Sequence, residues 1–162
     1  MDRVAVIADS HDHLGKIARA TAVIREWRAD LVLHAGDFVS PFTAAAFAGL
    51  GAPLEGVFGN NDGDRPALAR AYRELGRISP DPLRLSFNGF SVLLTHKPRL
   101  AREAAAGGAH YHLIAFGHDH RVRVEQGDGL LICPGELGGW TTGRPSLALV
   151  QLSIGDVEIV YL

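Results

Sequence analysis

The chain predicts an α/β fold of two β-sheets packed face to face with helices on the outside, and three observations carry that prediction. The first strands are near-continuous Val, Ile and Leu runs, as strands covered on both faces require. Between them the apolar period changes from that of a strand to that of a helix. Past residue 80 the texture shifts to hairpins.

"RVAVIAD" at residues 3–9 opens the chain as a strand. In "LGKIARATAVIREWRAD" the apolar positions Leu14, Ile17, Ala20, Ile24 and Trp27 recur at three- and four-residue steps, which predicts an amphipathic helix. "DLVLHAGD" and "LEGVFGN" repeat the strand signal. A short Ala-rich helix opened by Pro41 is expected between them, and a longer helix after Pro66. "LRLSFNGFSVLLTH" places Asn88-Gly89 between two strands, the residue pair a tight hairpin turn selects. A helix is expected around residues 99–106. Up to five further strands follow in "YHLIAFGH", "RVRVEQGDGLLICPG" and "SLALVQLSIGDVEIVYL".

Composition bounds the function. At 162 residues and 47% hydrophobic content the expectation is one domain, residues 1–162, with a packed core. Apolar runs such as "LIAF" and "SVLLT" are far shorter than the roughly 20 residues of a membrane span. The N-terminus reaches Asp9 too soon for a signal peptide, so a cytoplasmic protein without a membrane partner is expected. The single cysteine, Cys133, reads as a small core residue and fits a reducing compartment. Sixteen basic against 18 acidic residues give a net charge of −2 without any basic stripe, so duplex nucleic acid is not the expected partner. A small substrate is, and self-association is left open.

The polar residues sit where strands end. Asp9 and His11 follow the first strand, Asp37 the second, Asn60 the third, His96 a later one, and His118 with His120 the next. In open α/β sheets the crevice beyond the carboxyl ends of the strands is where ligands bind, so these seven residues are placed to converge. Their oxygen and imidazole donors suit Mn, Fe, Zn, Ni or Co. Seven ligands exceed one tetrahedral ion, whereas two ions bridged by a carboxylate use them all and form a clamp for phosphate-ester hydrolysis.

Read singly, each residue has a plainer role. Asp9 and Asp37 are helix caps or turn residues, and Asn60 belongs to a turn in "GNND". His118 and His120 are exposed loop residues, and His96 is an interior hydrogen-bonding residue. His34 reads as a buried, satisfied histidine, while His110 and His112 belong to structure or surface. Gly36, Gly59 and Gly117 serve backbone geometry. It is the order of the blocks that favours chemistry.

"DSH", "GD", "GNND", a lone "TH" and "GHDH", spanning residues 9–120, resemble the five blocks of the calcineurin-like metallophosphoesterases. The length and the hairpin-rich second half resemble the short bacterial and archaeal phosphodiesterase branch. That resemblance implies a four-layer αββα sandwich and a dinuclear phosphodiesterase in which a hydroxide bridging two ions attacks phosphorus. One ion would be held by Asp9, His11, Asp37 and His120 and the other by Asp37, Asn60, His96 and His118, with Asp37 as the bridge. The implied cofactors are two divalent transition-metal ions, Mn first, with Ni, Zn, Fe or Co as alternatives. The same fold also serves the retromer coat subunit as a non-catalytic scaffold, the alternative reading, but this chain keeps every implied ligand.

Three positions depart from the family's pattern. Asn61 stands where many members have a histidine that assists the transition state or leaving group, and an amide is no acid. "THKPR" replaces a more usual glycine and histidine after the ligand, and "CPGELGG" replaces an Asn-Pro-Gly-Ser turn. The assistants expected in catalysis are Asn61 and His13, with Arg121 nearby in sequence; Asp12 and His13 flank the first block.

Overall fold

A computed structural model describes residues 1–162. The first half runs β1 (Arg3–Ile7), α1 (Leu14–Trp27), β2 (Leu31–His34), a 3-10 helix (Pro41–Phe47), β3 (Leu54–Val57), α2 (Arg65–Ala71) and β4 (Gly76–Ser79). The second runs β5 (Leu83–Phe87), β6 (Phe90–Thr95), α3 (Pro98–Ala106), β7 (Leu113–Phe116), β8 (Val122–Gln126), β9 (Leu130–Pro134), β10 (Ser146–Gln151) and β11 (Asp156–Tyr161).

Two sheets result, of six strands in the order β11-β10-β1-β2-β3-β4 and of five in the order β5-β6-β7-β9-β8. Strands β1 to β4 pair in parallel, as do β6, β7 and β9, with Val6 opposite Leu33 and Leu94 opposite Ala115. Antiparallel strands close the rest: β10 and β11 extend one sheet past β1, and β5 and β8 edge the other. The C-terminal ends of β1, β2, β3, β6 and β7 consequently open toward one region.

Strand period decides the layers. Val4 and Val6 face the opposite sheet, meeting Val92, Leu94 and Leu113, while Ala5 and Ile7 face Ile17, Ile24 and Phe47 on the helical side. Leu93 and Ile114 turn outward onto Ala101 of α3. Four layers, αββα, follow from these three apolar cores, and the continuous apolar strands are those buried on both faces. Cys133 lies in the core between the five-stranded sheet and α3, as expected. No helix is long and apolar enough to cross a membrane.

One local expectation is corrected, and one strand was not anticipated. The short helix expected at Pro41 forms as a 3-10 helix, its first turn held by Thr43 Oγ1 donating to the Ser40 carbonyl at 2.7 Å. The helix after Pro66 is no longer than that one, since each has seven residues. β4 went unpredicted because "GRIS" carries too little apolar pattern; its parallel pairing to β3, Gly56 to Ile78, creates it. The Asn88-Gly89 hairpin forms as predicted, with φ of 49° and 88°.

Candidate metal centre

Backbone strain marks the site before any side chain is considered. Nine non-glycine residues have positive φ; Arg28 is a helix C-cap and Asn88 a hairpin turn, and the other seven are Asp9, His11, Asp12, Asp37, Val39, His118 and His120. Such conformations persist only where the surroundings over-determine them, and they concentrate at functional sites. Here the fixing groups are buried carboxylates. Asp62 accepts from the amides of Asp37 at 3.0 Å, Val39 at 2.7 Å and Gly59 at 2.7 Å, tying the loop after β2 to the loop after β3. Asp12 accepts from the amide and hydroxyl of Ser40 at 2.9 and 2.6 Å. The two loops approach so closely at Gly59 that a methyl group there would overlap the Asp37 carboxylate.

All seven candidate ligands come together. Asp37 Oδ2 is 3.4 Å from His11 Nε2 and 3.5 Å from His96 Nε2, and thus lies between two groups of donors. On one side His120 Nε2 is 3.4 Å and His11 Nε2 3.8 Å from Asp9 Oδ1. On the other, Asn60 Oδ1 is 2.8 Å from His96 Nε2 and 3.0 Å from His118 Nδ1, and the two imidazole nitrogens are 3.2 Å apart. Asp9 is fixed by its second oxygen, which accepts from the His118 amide at 3.0 Å.

These atoms fit a cation better than they fit one another. Asp9 Oδ1 and His11 Nε2 are buried without a hydrogen-bond partner, which native structures rarely tolerate. His96 Nδ1 sits 2.8 Å from the Ala35 carbonyl, which can only accept; in the neutral ring Nε2 then presents a lone pair to the Asn60 oxygen. Two lone pairs facing each other at His96 and Asn60, beside the unpartnered Asp9 oxygen, suit a positive ion. Two carboxylate-imidazole groups within metal-binding reach result, Asp9 with His11 and His120, and Asp9 with Asp37 and His96.

The charges respond accordingly. Burial pushes the Asp9 carboxyl up, but the imidazoles of His11 and His120 outweigh it and hold the group well below the usual carboxylate range. His120 is raised to about 9, first by its contact with Asp9, and His11 is raised for the same reason. Cations and protons compete for these nitrogens. His34 behaves as the plain reading expected: fully buried, stacked on Phe38 at 3.6 Å and 3.0 Å from the Ser10 hydroxyl, it is driven down to about 3 by desolvation.

The two expected assistants lie differently. Asn61 donates from its amide nitrogen and its side chain to the two oxygens of Asp37, both at 2.8 Å, so it stands against the central carboxylate. His13 is instead the N-cap of α1: its Nδ1 accepts from the Lys16 amide at 3.4 Å and its ring packs 4.6 Å from Trp140. Arg121 lines a separate cavity with His120 and Arg144. His112 Nδ1 accepts from the Ser91 amide at 2.9 Å in the second sheet, a structural role.

One residue escaped the sequence reading. Glu136 is fully buried beyond β9, its Oε1 accepts from the Thr141 and Thr142 amides, and its Oε2 is 2.9 Å from His120 Nδ1, off the line of a hydrogen bond. The rule that found the others would have found it, because an acidic residue two positions after an inner strand obeys the same strand-end placement.

Comparison with known proteins places this geometry in company. The calcineurin-like phosphoesterase superfamily domain profile matches residues 3–155. A phosphodiesterase of Methanocaldococcus jannaschii is 32% identical over 164 residues, covering 99% of each chain. The structure of an archaeal protein described as a novel phosphodiesterase superposes with a TM-score of 0.92 at 28% identity, over 99% of both chains. The vacuolar protein sorting 29 protein of Cryptosporidium parvum shares the fold alone, at a TM-score of 0.65 and 18% identity over 99% of this chain and 96% of that one.

Proposed function

The chain belongs to the calcineurin-like phosphoesterase superfamily, and from that premise we propose that it is a metal-dependent hydrolase of phosphate esters, phosphodiesters first, working with two divalent ions. The observation that carries this reading is Asp37 Oδ2, placed 3.4 and 3.5 Å from imidazole nitrogens of two different donor groups. In this reading Asp9, His11, Asp37 and His120 hold one ion, and Asp37, Asn60, His96 and His118 hold the other. Manganese is the first choice by donor chemistry, ahead of Ni, Zn, Fe or Co, and the protein acts in the cytoplasm as a single domain.

When bound, two such ions supply an acidified water and positive charge for the phosphoryl oxygens. The remaining work belongs to the chain. Asp62 and Asp12 hold the loops in their strained conformations, so the ligand atoms need little reorganisation. Asn61, bonded to Asp37, is the nearest side-chain donor to the centre and orients charge without transferring a proton. The His13 nitrogen nearest α1 is taken by the cap and gives no proton donor there.

The experiment is metal analysis with turnover on a panel of diesters, monoesters and nucleotides after stripping and reloading. Two ions per chain and metal-restored diester hydrolysis are expected. A protein that binds no metal and cleaves nothing would instead be a non-catalytic scaffold of the same fold.

The leaving group offers a second check. With an amide in place of an acid, the departing oxygen leaves with little proton donation, so its own pKa governs the rate. Activated aryl esters should be cleaved far faster than alkyl esters, and Asn61→His should help the poor leaving groups more than the good ones. The measurement is kcat/KM across a leaving-group series; a flat wild-type series limited by chemistry would mean another group already supplies the proton.

A further inference from the structure

A cavity of about 570 Å³ opens from the Asn60, His96 and His118 side of the centre. Its wall includes Asn60, His96 and His118 but none of Asp9, His11 or His120, and it continues past them to Arg65, Lys97 and Arg99. A substrate bound by its phosphorus at the centre therefore has room for a substituent on this side and meets cationic side chains there.

Those three cations are not equivalent. Lys97 is 3.6 Å from Asp81 and Arg99 is 2.7 Å from Glu103, so each already has its counter-charge. Arg65 has none. Its Nε donates to the Asp62 carbonyl at 3.3 Å and one terminal nitrogen to the Gly59 carbonyl at 3.4 Å, and its guanidinium lies 5.3 Å from the centre of the Phe58 ring. Carbonyl oxygens and a ring face orient the fork without neutralising it. Of its five N–H donors two are engaged, leaving three for a ligand. The anchor at Gly59 is the residue before Asn60, which sets the guanidinium one residue from the centre.

We propose that Arg65 is the anion-binding residue of a substrate subsite, and that the preferred phosphodiester carries a second phosphate group on the moiety that occupies this cavity. This rests on the phosphoesterase reading and adds the substrate class. The scissile phosphate has the ions for its charge; an unpaired guanidinium beside the cavity answers a further anion, and the planar fork suits phosphate. An acid in the same cavity that is free of a partner would argue against this, but Asp81 and Glu103 are both committed to its other cations.

The test compares two substrates with one leaving group: thymidine 5′-(4-nitrophenyl phosphate) and the same compound bearing a 3′-phosphate. The metal-loaded protein is expected to favour the 3′-phosphorylated ester in kcat/KM by roughly tenfold, the effect of one charge-assisted hydrogen bond. In Arg65→Ala that ratio should fall to near one, and in Arg65→Lys to an intermediate value, with the circular dichroism unchanged because Arg65 is an exposed residue. Cleavage of both esters at equal rates by the wild-type protein overturns the subsite and leaves the phosphoesterase reading standing. So does a preference that Arg65→Ala leaves intact, which includes the case where both rates fall together because Arg65 serves the scissile phosphate. Cleavage of neither ester, with two ions bound, sinks the phosphodiesterase reading itself.

Discussion

Asp37→Ala is expected to lose both metal ions and to lower turnover by about a thousandfold, the largest effect of any single substitution in this chain. The estimate follows from the several kcal/mol that bound ions contribute to phosphoryl transfer, at about 1.4 kcal/mol per tenfold in rate. No other carboxylate oxygen lies within 3.5 Å of imidazoles from both donor groups. Its removal also strips the acceptor from two donors of Asn61. The loop itself should hold, because the Asp37 amide is bound to Asp62 and not to its own side chain. Metal content by mass spectrometry, turnover and a thermal melt separate these effects. His118→Ala provides the contrast, since the His118 ring approaches Asn60 and His96 and its loss should cost one ion and turnover while sparing the other, the amide bond to Asp9 being kept. An Asp37→Ala protein that kept two ions and its full rate would end the dinuclear assignment.

Much of this was legible in the sequence, and the reason is the strand-end rule. β1, β2, β3, β6 and β7 announced themselves by apolar runs, and each run is followed within four residues by one of the seven polar side chains that the fold brings together. Parallel pairing then aligned their ends, as Ile7 opposite His34 and Thr95 opposite Phe116 illustrate. What stayed hidden depends on tertiary contact. β4 exists through its pairing with β3 and carries no pattern of its own. The cap role of His13 could not be read beside a block of ligands, since histidine is not among the residues that favour that position. Asp62 has the same composition signal as any turn aspartate; that it gathers three amides from two loops is a property of the loops meeting.

Glu136→Gln is expected to weaken the ion held by Asp9, His11, Asp37 and His120 by roughly 10- to 100-fold, the usual effect of removing a carboxylate that supports a histidine ligand. His120 has its Nε2 3.4 Å from Asp9 Oδ1, the inner side of the centre, so its Nδ1 must carry the proton when Nε2 binds a cation. Glu136 Oε2, 2.9 Å away though off the hydrogen-bond line, favours that protonated nitrogen by its charge; a glutamine with its oxygen kept on the Thr141 and Thr142 amides would turn an NH2 toward an N–H instead. The other ion should change less, because His96 and His118 have no contact with Glu136. Two readouts other than turnover decide the matter: affinity from competition against a chelator, and the tautomer of His120 from its ring nitrogen shifts. A melt unchanged from the wild type shows that the loop survives. The Thr141 hydroxyl, 3.2 Å from the same nitrogen, is the rival acceptor. Wild-type affinity and tautomer in Glu136→Gln would assign the orienting role to Thr141 and reduce Glu136 to an anchor for its loop.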